Sequence, residues 1–140
     1  MKSYGYLLDS DLIIADEMAL GSKDFTNMIE VGGNTNGSLC IEVRAHTALT
    51  VLTTKAFNIE VEVYTSDTVG SAAAPIANSH MYLIHKTSAD GALSVAAGDL
   101  IAEMIVPCKY FGANTWLNLK CTTDDTLTAK TVDAFARLLT

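Results

Sequence analysis

The stretch KAFNIEVEVYT, residues 55–65, alternates apolar and polar side chains with period two, placing Phe57, Ile59, Val61 and Val63 on one side and Asn58, Glu60 and Glu62 on the other. A helix turns about 100° per residue and would scatter these positions around its circumference, whereas a strand sends alternate side chains to opposite faces. The segment therefore predicts a strand with one buried face. SLCIEVRAH, residues 38–46, repeats the pattern with Leu39, Ile41, Val43 and Ala45 inward and Cys40, Glu42, Arg44 and His46 outward. Further strands are expected at 6–14, in NMIEV at 27–31, and at 81–86, 100–106, 116–121 and 130–139, about eight in all. The last of these has a composition that a helix would accept, but Val132, Ala134, Ala136 and Leu138 alternate with Asp133 and Arg137, which favours a strand. IADEMAL, residues 14–20, is the other helical candidate, too short to matter alone. Turn-rich pieces such as GGNTNGS, SADGALSVAAGD and TTDDTLTA separate the strands, and the spacing describes an all-β sandwich or barrel.

With 140 residues, 49% of them hydrophobic, the chain suits one domain spanning 1–140 with a real core. Sixteen acidic against nine basic residues, net charge -7, make direct nucleic-acid binding or attraction to an anionic membrane unfavourable. Asp9, Asp11, Asp16 and Glu17 interrupt the opening apolar stretch, which does not read as a signal peptide. Cys40, Cys108 and Cys121 cannot all pair internally and read as reduced thiols in a protein made in cytoplasm.

The glycine-rich stretch MIEVGGNTNG, residues 28–37, could hold a ligand or turn a corner. A phosphate cradle needs a helix start behind it and a lysine to reach the anion, and neither follows. Gly32, Gly33, Asn34, Asn36 and Gly37 are therefore expected to form a structural turn, since glycine and asparagine enter left-handed conformations cheaply. His80 and His85 have opposite parity on one strand and make no preformed metal pair, and His46 reads as an ordinary surface or interface histidine. Asp9, Asp11, Asp16 and Glu17 do not follow a calcium-loop order and read as solvated charge. Glu60 and Glu62 have the spacing of any two outward strand positions, with Arg44 on a neighbouring strand as a partner. No catalytic, metal or cofactor residue is assigned. Tyr4, Tyr6, Tyr110, Phe111 and Trp116, near strand starts or in loops, are candidate interface anchors, although Phe111 and Trp116 could equally cap the core.

LLDSDLIIADEMAL, TNMIEVGG, FNIEVEVYTSD, AAGDLIAEMIVP and WLNLKCTTDDTLTAKTVDAFARLL together resemble the jelly-roll cement, or capsid-stapling, proteins of tailed bacteriophages of the Bordetella phage type. The matching positions are Ile29 to Gly33 at the turn, Gly98 and Asp99 before a strand that ends at Pro107, and Val132 to Phe135 in the closing strand. GSKDFTN before the turn, and the cysteines, depart from the pattern. The resemblance implies a jelly-roll β-sandwich of about eight antiparallel strands. It also implies a small homo-oligomer, usually a dimer, on the outer surface of the virion capsid, clamping the major capsid protein without cofactor or catalysis. The alternative is a carbohydrate-binding β-sandwich, for which Tyr64 and Tyr82 would supply a mid-strand aromatic pair. An isomerase-like jelly roll would need a histidine and glutamate metal cluster that the sequence does not spell out.

Overall fold

The computed structural model describes residues 10–25, 27–31, 37–65, 81–112 and 115–139. After a 3-10 turn at Ser10–Leu12 come β1 (Ile13–Ala19), β2 (Lys23–Asp24), β3 (Ile29–Glu30), β4 (Ser38–Ala45), β5 (Leu49–Val51) and β6 (Phe57–Tyr64). β7 (Met81–Lys86), β8 (Leu93–Val95), β9 (Leu100–Pro107), a second 3-10 turn at Cys108–Tyr110, β10 (Trp116–Thr123) and β11 (Thr131–Leu139) complete the order. The all-β expectation holds, and every pairing among the described residues is antiparallel.

One sheet runs β1-β11-β4-β9 and a second runs β2-β10-β6-β7, with β3 also on β10 and a separate β5-β8 ribbon. The alternation read from the sequence sets the register. β6 and β10 pair without a slip from Phe57↔Thr123 to Tyr64↔Trp116, so Ile59, Val61 and Val63 share a face with Leu117, Leu119 and Cys121. β4 and β11 pair from Ala45↔Val132 to Ser38↔Leu139, aligning Leu39, Ile41 and Val43 with Leu138, Ala136 and Ala134. A one-residue slip in either pair would turn the apolar set outward. Residues from both sheets meet in one hydrophobic cluster that also takes in Leu20, Phe25, Phe111 and Leu127.

Several expectations need correction. The stretch 14–20 is not a helix: 13–19 is β1, whose pairing with β11 shifts register between Ile13 and Ala15 and again between Ala15 and Met18. Across those bulges the consecutive residues Asp16 and Glu17 are both exposed, which hides the period of two. The expected strand at 6–14 survives only as the start of β1, and 6–9 lie outside the described residues. GSKDFTN carries β2 and fully buried Phe25, whose amide donates to the Leu119 carbonyl at 2.7 Å. β8, three residues long, falls inside SADGALSVAAGD, which reads as a turn, and β5, equally short, falls in a stretch where the sequence predicts no strand.

Gly37, at the end of the glycine-rich stretch, has φ +77, and a Cβ there would meet the Leu139 carbonyl oxygen at 2.5 Å. Backbone handedness and close approach both require glycine at this corner. Gly32, Gly33, Asn34 and Asn36 lie outside the described residues. Gly98, with φ +88, turns the chain into β9 and donates its amide to the Ala45 carbonyl at 2.6 Å.

Candidate functional site

While Leu39, Ile41, Val43 and Ala45 of β4 enter the core, Cys40, Glu42 and Arg44 occupy the other face of the same strand, with His46 just beyond it. The β11 register sets Arg137 opposite Cys40, Phe135 opposite Glu42 and Asp133 opposite Arg44. From the other side β9 brings Ile105 opposite Cys40 and Glu103 opposite Glu42. This face is unusually buried for one that carries charge: Cys40 and Glu42 are 1% exposed, Asp133 and Phe135 0%.

Burial of these carboxylates is tolerated because each is met by donors. Arg44 Nε lies 3.0 Å from Glu42 Oε2, while Arg137 approaches Glu42 Oε1 with Nε at 3.1 Å and Nη2 at 3.0 Å. Asp133 Oδ1 accepts the Glu17 amide at 2.8 Å, and its Oδ2 lies 3.0 Å from His46 Nδ1. The far nitrogen of that ring stands 3.4 Å from the exposed Glu17 carboxylate. Glu17 itself has φ 53, a left-handed backbone that an L-residue adopts at a cost, so its aim at Asp133 and His46 is held by the surrounding lattice.

Chemically this lattice binds and holds. Cys40 Sγ, Glu42 and Glu103 place donor atoms within 4.8 Å of one another, a grouping a metal could use. Both oxygens of Glu42 are committed to guanidinium groups, however, and a metal would have to displace them. Burial pushes the Cys40 thiol pKa up, Arg137 opposes this, and Glu42 and Glu103 add to the rise, which makes a poor thiolate ligand or nucleophile.

The second sheet overturns the view of Glu60 and Glu62 as outward, solvated positions. Glu62 is 3% exposed and Glu60 half-buried, and both stand beside β10, whereas Arg44 belongs to the other sheet. Tyr64 is 3% exposed and Tyr82 53%, so the two tyrosines form no exposed pair. Among the candidate anchors, Phe111 is 7% exposed and packs into the core, and Trp116 is half-buried at the start of β10 opposite Tyr64. Tyr110 ends the second 3-10 turn, while Tyr4 and Tyr6 lie outside the described residues. Cys40, Cys108 and Cys121 are all buried and free. His46 is not an ordinary surface histidine but part of the Asp133 lattice.

Large apolar side chains also stand exposed on strand edges, where the period of two gives no sign of them. β7 ends one sheet and β9 ends the other, and Tyr82 on β7 with Leu100 and Ile105 on β9 are exposed by 53%, 37% and 58%. Exposed apolar groups on edge strands mark places where another chain can add. Known proteins offer no guide: the chain matches no family model, no curated protein and no solved structure.

Proposed function

We propose that this chain is a capsid cement protein, a jelly-roll β-sandwich on the outer surface of a phage head that clamps neighbouring major capsid subunits and self-associates through its edges. The observation that carries the reading is strand order. Leaving aside β3, β5 and β8, the remaining strands fall as first-eighth-third-sixth in one sheet and second-seventh-fourth-fifth in the other. Two Greek keys wound together produce this order, and jelly rolls recur in viral coats. The exposed edge residues Tyr82, Leu100 and Ile105 support a role in contact, and a symmetric shell lets modest interfaces add up. The protein would be made in the host cytoplasm and needs no cofactor for this work.

Heads assembled without the protein, mixed with purified chain and imaged by cryo-electron microscopy, should show added density at repeated symmetry positions. Ile105→Lys should stay folded and lose attachment. A carbohydrate-binding module is the second reading, resting on the exposed Tyr82 ring, 4.6 Å from the His85 ring. Glycan-array binding lost in Tyr82→Ala, together with no co-sedimentation with heads, would replace the first reading by the second.

A further inference from the structure

In the second sheet β10 is flanked by β2 and β6. Leu117, Leu119 and Cys121 face the core, which leaves Asn118 and Lys120 on the opposite face, beside Glu62 and Glu60 respectively. Asp24 on β2 pairs with Lys120, and its carboxyl comes within hydrogen-bonding reach of Glu62. Burial and the neighbouring Glu62 carboxyl push the Tyr64 hydroxyl pKa up. Asn118 is 0% and Glu62 3% exposed, yet Asp24 Oδ1, Glu62 Oε1 and both amide atoms of Asn118 have no hydrogen-bond partner among the described residues. Each such orphan is costly when buried, and paired like charges compound the cost.

A proton shared between the carboxyls would satisfy two oxygens and leave Asn118 unmet. A cation answers three orphaned oxygens together, those of Asp24, Glu62 and Asn118, and leaves only Asn118 Nδ2 without a partner. We propose that Asp24, Glu62 and Asn118 form a binding site for a hard divalent cation of the calcium class, with Asp24 Oδ1, Glu62 Oε1 and Asn118 Oδ1 as ligands. Oxygen donors of mixed charge in irregular arrangement suit calcium better than the stricter octahedron of magnesium. Asp24 is only half-buried, so water completes the shell from its side. The Lys120 ammonium acts on Glu62 from the same face and opposes the cation, while Glu60 reinforces the negative field. Because ligands must be deprotonated, binding strengthens with rising pH.

The protein, stripped with EDTA and passed into metal-free buffer at about pH 8, is melted with and without about 5 mM calcium or magnesium. Calcium should raise the melting temperature by about 4 °C or more, and magnesium should do less. Terbium should give emission sensitised by Trp116 and Tyr64, displaced by calcium. Asp24→Asn and Glu62→Gln should abolish both signals with circular dichroism unchanged, and Lys120→Met should tighten calcium several-fold. No calcium shift together with no sensitised emission in the wild type overturns the site. So does emission that persists in the Asp24→Asn, Glu62→Gln double variant, or affinity untouched by Lys120→Met.

Discussion

At the scale of single residues, two positions carry sharp expectations. Gly37→Ala should destabilise the protein by about 2 to 3 kcal/mol, because it adds a collision with the Leu139 carbonyl to the backbone cost of φ +77. Gly98→Ala, with φ +88 but nothing within 4 Å of the new Cβ, should cost only about 1 kcal/mol. Urea midpoints of the two variants compare the terms directly. Glu62 makes the second case. Burial, then hydrogen bonding and repulsion from Asp24, raise its pKa from 4.5 to about 8. Between those values the folded protein holds a proton that the unfolded chain has released, so stability should fall as pH rises through the window. In EDTA, the loss from about pH 5 to pH 8.5 should be on the order of 2 kcal/mol, and Glu62→Gln should flatten it.

At the scale of elements, Lys86 shows how an edge strand is tied down. It is 5% exposed at the end of β7, and its ammonium donates to the carbonyls of Leu52 at 3.1 Å, Lys55 at 2.5 Å and Thr87 at 3.3 Å. The same loop is held from the other side by Asp125, which accepts the Leu52 amide at 3.0 Å, and Asp124, which accepts the Ala56 amide at 2.7 Å. Lys86→Met takes the donor from the Lys55 carbonyl, while the Leu52 and Thr87 carbonyls keep the amides of Lys55 and Asp90, and should cost about 1 to 3 kcal/mol. Hydrogen exchange should rise first in residues 52–56, ahead of the β6–β10 pairing. Uniform exchange across the sheet would show that the lysine does not act as a local clasp.

Across the whole molecule, stability rests on one cluster fed by both sheets and not on cross-links. Dithiothreitol should therefore shift the melting temperature by less than about 2 °C. Cys121, its thiol pKa pushed up to about 11 chiefly by burial, should resist maleimide until the protein is unfolded. Self-association belongs to this scale as well. If β7 and β9 edges join copies, Leu100→Lys with Ile105→Lys should shift sedimentation toward monomer with the melting temperature little changed.

The alternation in β4, β6, β10 and β11 determined, from the sequence alone, that the chain is all-β and which residues enter the core. A period of two assigns each side chain to a face locally, within a few residues. It could not say which charges would meet on the other face. Arg137 reaches Glu42 across 95 residues of chain, and Glu17 reaches Asp133 across 116. The meeting of Asp24 with Glu62 is likewise a matter of which strand lies beside β10. β1 resisted reading because bulges broke its period, and β2, β5 and β8 because two or three residues carry too little pattern. Partner strands and register are selected by packing distant apolar faces together, so only the tertiary structure decided where the buried carboxylates would lie and what surrounds them.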